Sequence, residues 1–133
     1  MEKIKILVVD DESRMRKLLR DFLELVGYQI LEAADGVEAM DLFYADKNID
    51  LIILDVMMPR MDGWQVCKEV REHSKVPIMM LTARSEEQNE LKGFELGVDE
   101  YVAKPFSPKI LVARVAALLK SEKKVTEETI VNA

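Results

Sequence analysis

The sequence is poor in the residues that anchor small folds covalently or through metal. It holds one cysteine, Cys67, and one histidine, His73, among 133 residues. A lone thiol cannot close an internal disulfide, so packing alone must hold the fold together. The neighbours of Cys67 read as a helix, which makes it a buried structural thiol rather than a reactive one. His73, between Glu72 and Ser74, lacks the companions of a histidine metal centre and reads as a solvated residue near a helix end. No apolar run approaches the roughly 18 residues that cross a bilayer, so no membrane partner is expected. Met1 to Val9 leads straight into Asp10 and Asp11, without the longer apolar segment and cleavage site of a signal peptide, and a cytoplasmic location is expected. Basic charge is also short, with 19 Lys and Arg against 25 Asp and Glu and a net charge of −6. That balance excludes broad nucleic-acid binding by this chain alone, because a phosphate backbone attracts basic surfaces. It leaves room for an acidic pocket that takes a cation.

Hydrophobic residues make up 49% of the chain, enough for the core of one domain. Their spacing alternates between two patterns. Short buried strands are predicted over Ile4 to Val9, Tyr28 to Glu32, Asp50 to Val56, Val76 to Ala83 and Glu100 to Ala103. Between them fall helical segments. Met15, Leu18, Leu19, Phe22, Leu23 and Val26 form one apolar face, stopped by Gly27. Asp35 and Gly36 turn into a helix with Val37, Met40, Phe43 and Tyr44 on one side. Pro59, Asp62 and Gly63 mark a loop before a helix over Trp64 to Glu72, with Val66, Cys67 and Val70 inward. Glu86 to Leu96 is a polar helix with few apolar anchors. Ser107 caps a last helix with Pro108 at its first position, ending near Lys120. Residues 121–133 read as a polar tail or linker after a domain over 1–120. Five strand–helix alternations without hairpin signals imply an α/β fold of three layers, a parallel sheet with five helices on its two faces.

Ligands of an open parallel sheet bind beyond the carboxyl ends of its strands. Asp10 and Asp11 end the first strand, Asp55 the third, Thr82 the fourth and Lys104 the fifth. Taken singly these are unremarkable: Asp10 a helix cap, Asp11 its solvated neighbour, Asp55 a strand-end aspartate, Thr82 a strand residue, Lys104 a surface lysine. Together on one edge they describe a site. Three neighbouring carboxylates raise each other's pKa, and a hard cation relieves the conflict. Mg²⁺ suits one or two carboxylates, waters and a phosphate oxygen. A carboxylate can be a nucleophile toward phosphorus, with Lys104 and the cation neutralising charge and Thr82 bonding the transferred group. Ala83 leaves room for that group. Lys104 precedes a proline, which favours an extended backbone and permits a cis bond.

The stretches LVVDDE (7–12), LIILDVMMPRMDG (51–63), MLTA (80–83) and YVAKPF (101–106) resemble the receiver domains of two-component response regulators, over about residues 4–120. The resemblance implies the flavodoxin-like, CheY-like strand order 2-1-3-4-5. It implies that Asp55 accepts phosphate from a sensor histidine kinase, that Asp10, Asp11, Asp55 and the Met57 carbonyl bind Mg²⁺, that Lys104 binds phosphate, and that Thr82 and Tyr101 form a switch pair. A strand aromatic such as Tyr101 is otherwise a core residue. The polar fourth helix agrees with a movable element. Residues 93–115 are further similar to the OmpR/PhoB subfamily, whose receivers precede a winged-helix DNA-binding domain and dimerise through the fourth helix, fifth strand and fifth helix. Lys92, Asp99, Glu100 and Arg114 match charged positions of that face. Ile110 stands where a glutamate is common; it removes a partner for Lys92 and either packs inward or enlarges the apolar patch. DNA contact would require an output domain outside these residues. The alternative is a stand-alone receiver acting by protein binding.

No enzymatic turnover on external substrates is expected. Haloacid-dehalogenase-type phosphatases need an acid–base aspartate two residues after the nucleophile, where Met57 stands. Met57 and Arg84 flank the site, and because Met57 cannot orient water, the phosphate is expected to be long-lived. Met57, Met58 and Met61 read as loop packing rather than a partner surface, and Trp64 as a packed residue near the site.

Overall fold

A computed structural model describes residues 3–83 and 96–131, with side chains to residue 121. Five strands, β1 (Lys5–Val9), β2 (Gln29–Ala33), β3 (Leu51–Asp55), β4 (Ile78–Ala83) and β5 (Glu100–Lys104), form one sheet in the order β2-β1-β3-β4-β5. Every pairing is parallel, as the alternating pattern predicts. Four helices are described: α1 (Ser13–Val26), α2 (Gly36–Ala45), α3 (Gly63–Arg71) and α4 (Pro108–Val131). The predicted helix over Glu86 to Leu96 lies almost wholly in 84–95, outside the described residues, so the described count is four rather than five.

The strands are hydrophobic on both faces because both faces are covered. Leu7, Val9, Ile52, Leu54, Ile78 and Met80 pack with Met40 and Phe43 of α2 and Val66, Cys67 and Val70 of α3. The alternate residues Ile6, Val8, Leu51, Ile53, Met79 and Leu81 pack with Leu19 and Leu23 of α1 and Leu111 and Val115 of α4. The period of two thus divides one sheet between two cores, giving three layers.

Helix ends follow local chemistry. Gly27 closes α1 at φ 108°, its N–H on the Glu24 carbonyl at 2.9 Å while Tyr28 N–H reaches Leu23 at 3.2 Å, the left-handed cap that glycine favours. Asp62 and Gln65 form a reciprocal capping box on α3. Ser107 Oγ accepts from Ile110 N–H at 3.4 Å at the start of α4. Three expectations are corrected. The last helix passes Lys120 and reaches Val131, because residues 121–131 contain neither glycine nor proline to stop it. Leu18 and Val26, assigned to the apolar face of α1, are exposed, as are Val37 and Tyr44 of α2; they flank the buried stripe rather than join it. β4 begins at Ile78 rather than Val76.

Winding reverses between β1 and β3, so the loops after these two neighbouring strands diverge and leave a crevice at their carboxyl ends. Asp10 follows β1 there and Asp55 ends β3.

Candidate functional site

Each predicted edge residue reaches the crevice by strand register. Val9 pairs with Leu54, Asp55 with Leu81, and Ala83 with Lys104, which brings the ends of β1, β3, β4 and β5 level. Carboxylate oxygens of Asp10, Asp11 and Asp55 lie within 4.8 Å of one another. Asp10 is fully buried and Asp55 nearly so, while Asp11 faces solvent. Lys104 Nζ sits between the two buried ones, 3.1 Å from Asp10 Oδ2 and 3.3 Å from Asp55 Oδ1. The Lys104–Pro105 bond is cis, one of the two geometries anticipated.

Electrostatics at this point are unresolved by the protein alone. Burial, then the nearby Asp10 charge, push the Asp55 carboxyl up to about 6 against the pull of Lys104. Burial draws the Lys104 ammonium down, but Asp10 and Asp55 outweigh it and hold its pKa above the ordinary value. Thr82 Oγ1 is buried with no hydrogen-bond partner among the described residues, although a buried hydroxyl normally finds one. A clustered carboxylate trio, one shared ammonium and an orphaned hydroxyl fit a hard cation and an anionic oxygen ligand.

The backbone around the cluster is tightly braced. Asp10 Oδ1 accepts from Glu12 N–H at 2.9 Å, and Arg16 Nη1 bonds the Asp10 carbonyl at 2.7 Å while its Nε meets Glu32. The start of α3 lies against the end of β3: Gly63 N–H donates to the Val56 carbonyl at 2.8 Å, and a Cβ at 63 would stand 2.4 Å from the Asp55 carbonyl oxygen. Only glycine permits that approach. Met57 follows in the loop with its side chain exposed. Met58, Met61 and Trp64 pack against the α2–α3 core, in line with loop packing. Cys67 is buried with its thiol pushed up by burial, and His73 is exposed, edge-on to Tyr44.

Tyr101 is buried in the same core as α2 and α3, opposite Met80 on β4. Asp99, proposed for an intersubunit face, is engaged within the chain: its Oδ2 accepts from Ile78 N–H at 2.8 Å and pairs with Arg71 at 2.9 Å. Arg114 bonds the Tyr101 carbonyl at 3.2 Å and meets Glu100 at 3.5 Å. Ile110 is 55% exposed, so it does not pack inward. Lys92 and Arg84 lie outside the described residues. Sequence reasoning missed Arg16, and also Arg60, which pairs with Asp35 across 25 positions. Arg60 lies in a loop at the carboxyl edge and Arg16 in the first turn of α1, so only the edge rule extended to the segments just after the strands would have flagged them.

Comparison with known proteins agrees with this geometry. The family model described as response regulator receiver domain matches residues 6–116. The chain is 54% identical over 116 residues to the transcriptional regulatory protein ResD of Bacillus subtilis, covering 87% of this chain and 48% of ResD. It is 49% identical over 124 residues to SrrA of Staphylococcus aureus, covering 93% and 51%. The chain thus spans about half the length of these curated relatives. Their names, as transcriptional regulators, accord with the OmpR/PhoB likeness of residues 93–115. Among solved structures, a two-component response regulator of Clostridium difficile superposes with a TM-score of 0.84 at 35% identity, covering 89% of this chain and 97% of that one. The chemotaxis protein CheY4 of Vibrio cholerae gives 0.81 at 34%, covering 87% and 98%. With five strands in the receiver order and the family match over most of its length, the chain belongs to the response regulator receiver domain family.

Proposed function

We propose that this receiver is a reversible switch in which Asp55 accepts a phosphoryl group from the phosphohistidine of a sensor kinase. One observation carries the reading: the carboxylates of Asp10, Asp11 and Asp55 converge within 4.8 Å beside the Lys104 ammonium. An Asp55 oxygen attacks phosphorus, the phosphorus–nitrogen bond breaks, and the histidine ring nitrogen keeps the electron pair. Asp10, Asp11, Asp55 and the Met57 carbonyl are the proposed ligands for Mg²⁺, which when bound neutralises charge on the transferring group. Lys104 supports the same charge from the β5 side, and the orphaned Thr82 hydroxyl bonds a phosphoryl oxygen. Movement of Thr82 toward that oxygen alters the wall beside Tyr101, biasing an equilibrium of the surface around β5 and α4.

The proposed output is a separate domain. Relatives named transcriptional regulators are about twice as long, so this receiver is proposed to control a winged-helix DNA-binding domain, with Asp99, Glu100, Ile110, Arg114 and Lys92 near a homodimer face. The compartment is the cytoplasm, where the kinase delivers its phosphate. Phosphohydrolase turnover has no support, because exposed Met57 offers neither acid nor base.

The test is phosphorylation by a small phosphodonor with Mg²⁺, read as acid-labile phosphate by intact mass. Wild type should be labelled and Asp55→Asn should not. Equal labelling of both would end this reading.

A further inference from the structure

The loop between β3 and α3 is fixed at both ends. On the strand side, Val56 N–H donates to the Leu81 carbonyl at 3.2 Å and Gly63 N–H to the Val56 carbonyl at 2.8 Å. On the far side Arg60 adopts φ 66°, and among the described residues it is the sole non-glycine at positive φ. Side chains rarely tolerate that region, and surrounding contacts must hold such a residue in place. Here the contact is identifiable. The Arg60 guanidinium reaches Asp35 beyond β2, with Nε 2.8 Å from Oδ2 and Nη2 on the same oxygen. Because β1 lies between β2 and β3, this bridge spans the strand that delivers Asp10.

Asp35 is itself a fixed point. It is buried, and its Oδ1 caps α2 by accepting from Glu38 N–H at 2.9 Å. Beside it, the Met61 carbonyl closes on Gly36, where a Cβ would stand 2.3 Å from that oxygen. Two successive loop residues therefore land on the start of α2. A free surface turn at φ 66° would favour glycine; arginine adds strain and is held by its bonds to Asp35.

We infer that Arg60 is a positioning residue for the phosphoacceptor site: through Asp35 it fixes the loop carrying Met57 relative to Asp10 and Asp55. This rests on the function proposed above. A backbone ligand on an unanchored loop must be ordered when the cation binds, and preorganisation removes that cost.

Arg60→Gly removes the anchor without adding backbone strain, since glycine accepts the positive φ while the side chain and both its bonds to Asp35 are lost. The full chain is titrated with Mg²⁺ alone, followed by fluorescence of Trp64, next to the loop. The expected result is affinity lowered about tenfold, the lower end for loss of a supporting contact at a metal site. Amide exchange at 57–61 should quicken in the metal-free protein. Arg60→Lys should restore part of the affinity through a single ammonium contact. Asp35→Asn keeps an acceptor for Glu38 N–H and should weaken binding in the same direction. Wild-type affinity and exchange in both Arg60→Gly and Asp35→Asn would overturn the inference. Phosphodonor labelling separates the two readings. Should wild type show no Asp55-dependent labelling, the proposed function falls, while exchange at 57–61 still decides whether Arg60 anchors the loop.

Discussion

The two ends of the same sheet handle charge in opposite ways. At the amino end, polar groups have individual partners. Lys5 N–H donates to Asp50 Oδ2 at 2.8 Å, the Lys5 ammonium pairs with Asp46, and Asp99 closes the start of β4 through Ile78 N–H and Arg71. At the carboxyl end, one ammonium serves two buried carboxylates, a third stands nearby, and a buried hydroxyl has no partner among the described residues. The first arrangement closes strands; the second stores an electrostatic conflict that a ligand can relieve. Size misleads in this comparison. An open hollow of about 590 Å³ lies at the amino end, around Lys3, Lys5, Gln29, Lys47 and Asp50, far from the acidic crevice. Its charges are already matched or solvated, so chemistry and not volume locates the site.

The comparison is broken most severely at Lys104. Lys104→Met leaves Asp10 and Asp55 buried without their shared cation. Urea unfolding in EDTA should show a loss of about 3 kcal/mol, the scale for stranding a buried charge. Labelling by a small phosphodonor should slow at least about 100-fold, the scale for losing one charge-stabilising donor. Unchanged labelling would mean that Lys104 serves stability alone.

A smaller effect sharpens the comparison through pH. The Asp55 carboxyl is raised to about 6 in the fold, so between its unfolded value and 6 the folded chain binds more protons than the unfolded one. Stability from this group is therefore full below the unfolded pKa and is lost as pH rises through about 6. Asp46, at the other end, has its carboxyl lowered, first by its bond with Lys5, and works in the opposite sense. In EDTA, wild type should lose up to about 2 kcal/mol relative to Asp55→Asn between pH 4 and pH 7. Contributions from Asp46 and Asp35 cancel in that difference. Saturating Mg²⁺ should remove the slope, and parallel pH curves in EDTA would refute the assignment of strain to Asp55.

Much of this contrast is legible in the sequence, and its limits have physical reasons. Strands and their direction follow from apolar runs such as Leu51 to Leu54 between helical segments. Parallel direction then puts Asp10, Asp55, Thr82 and Lys104 on one edge without any knowledge of distances. The shared use of Lys104 was not legible, since it depends on side-chain reach. Nor was the Arg60–Asp35 pair, because β1 intervenes between their strands. The exposure of Leu18 and Val26 escaped a pattern that counts apolar residues without knowing how wide a stripe the sheet covers. Asp99 illustrates the same limit: family likeness places it on an outward face, where it is exposed, but its bonds to Ile78 N–H and Arg71 depend on side-chain reach that no pattern carries.

The smallest expected effect lies at the amino end, and it is the control for the others. Lys5→Met removes the ammonium paired with Asp46 but retains the backbone N–H that binds Asp50. Both side chains are partly solvated, so Asp46 can recover hydration when its partner is lost, unlike Asp10. Urea unfolding should show a loss of at most about 1 kcal/mol. Mg²⁺ affinity and phosphodonor labelling should stay at wild-type levels, because β1 runs between this pair and the crevice and no chain of buried charges joins them. A large fall in labelling after Lys5→Met would show that the two ends are coupled through the sheet, and the contrast between a closing end and a reacting end would fail.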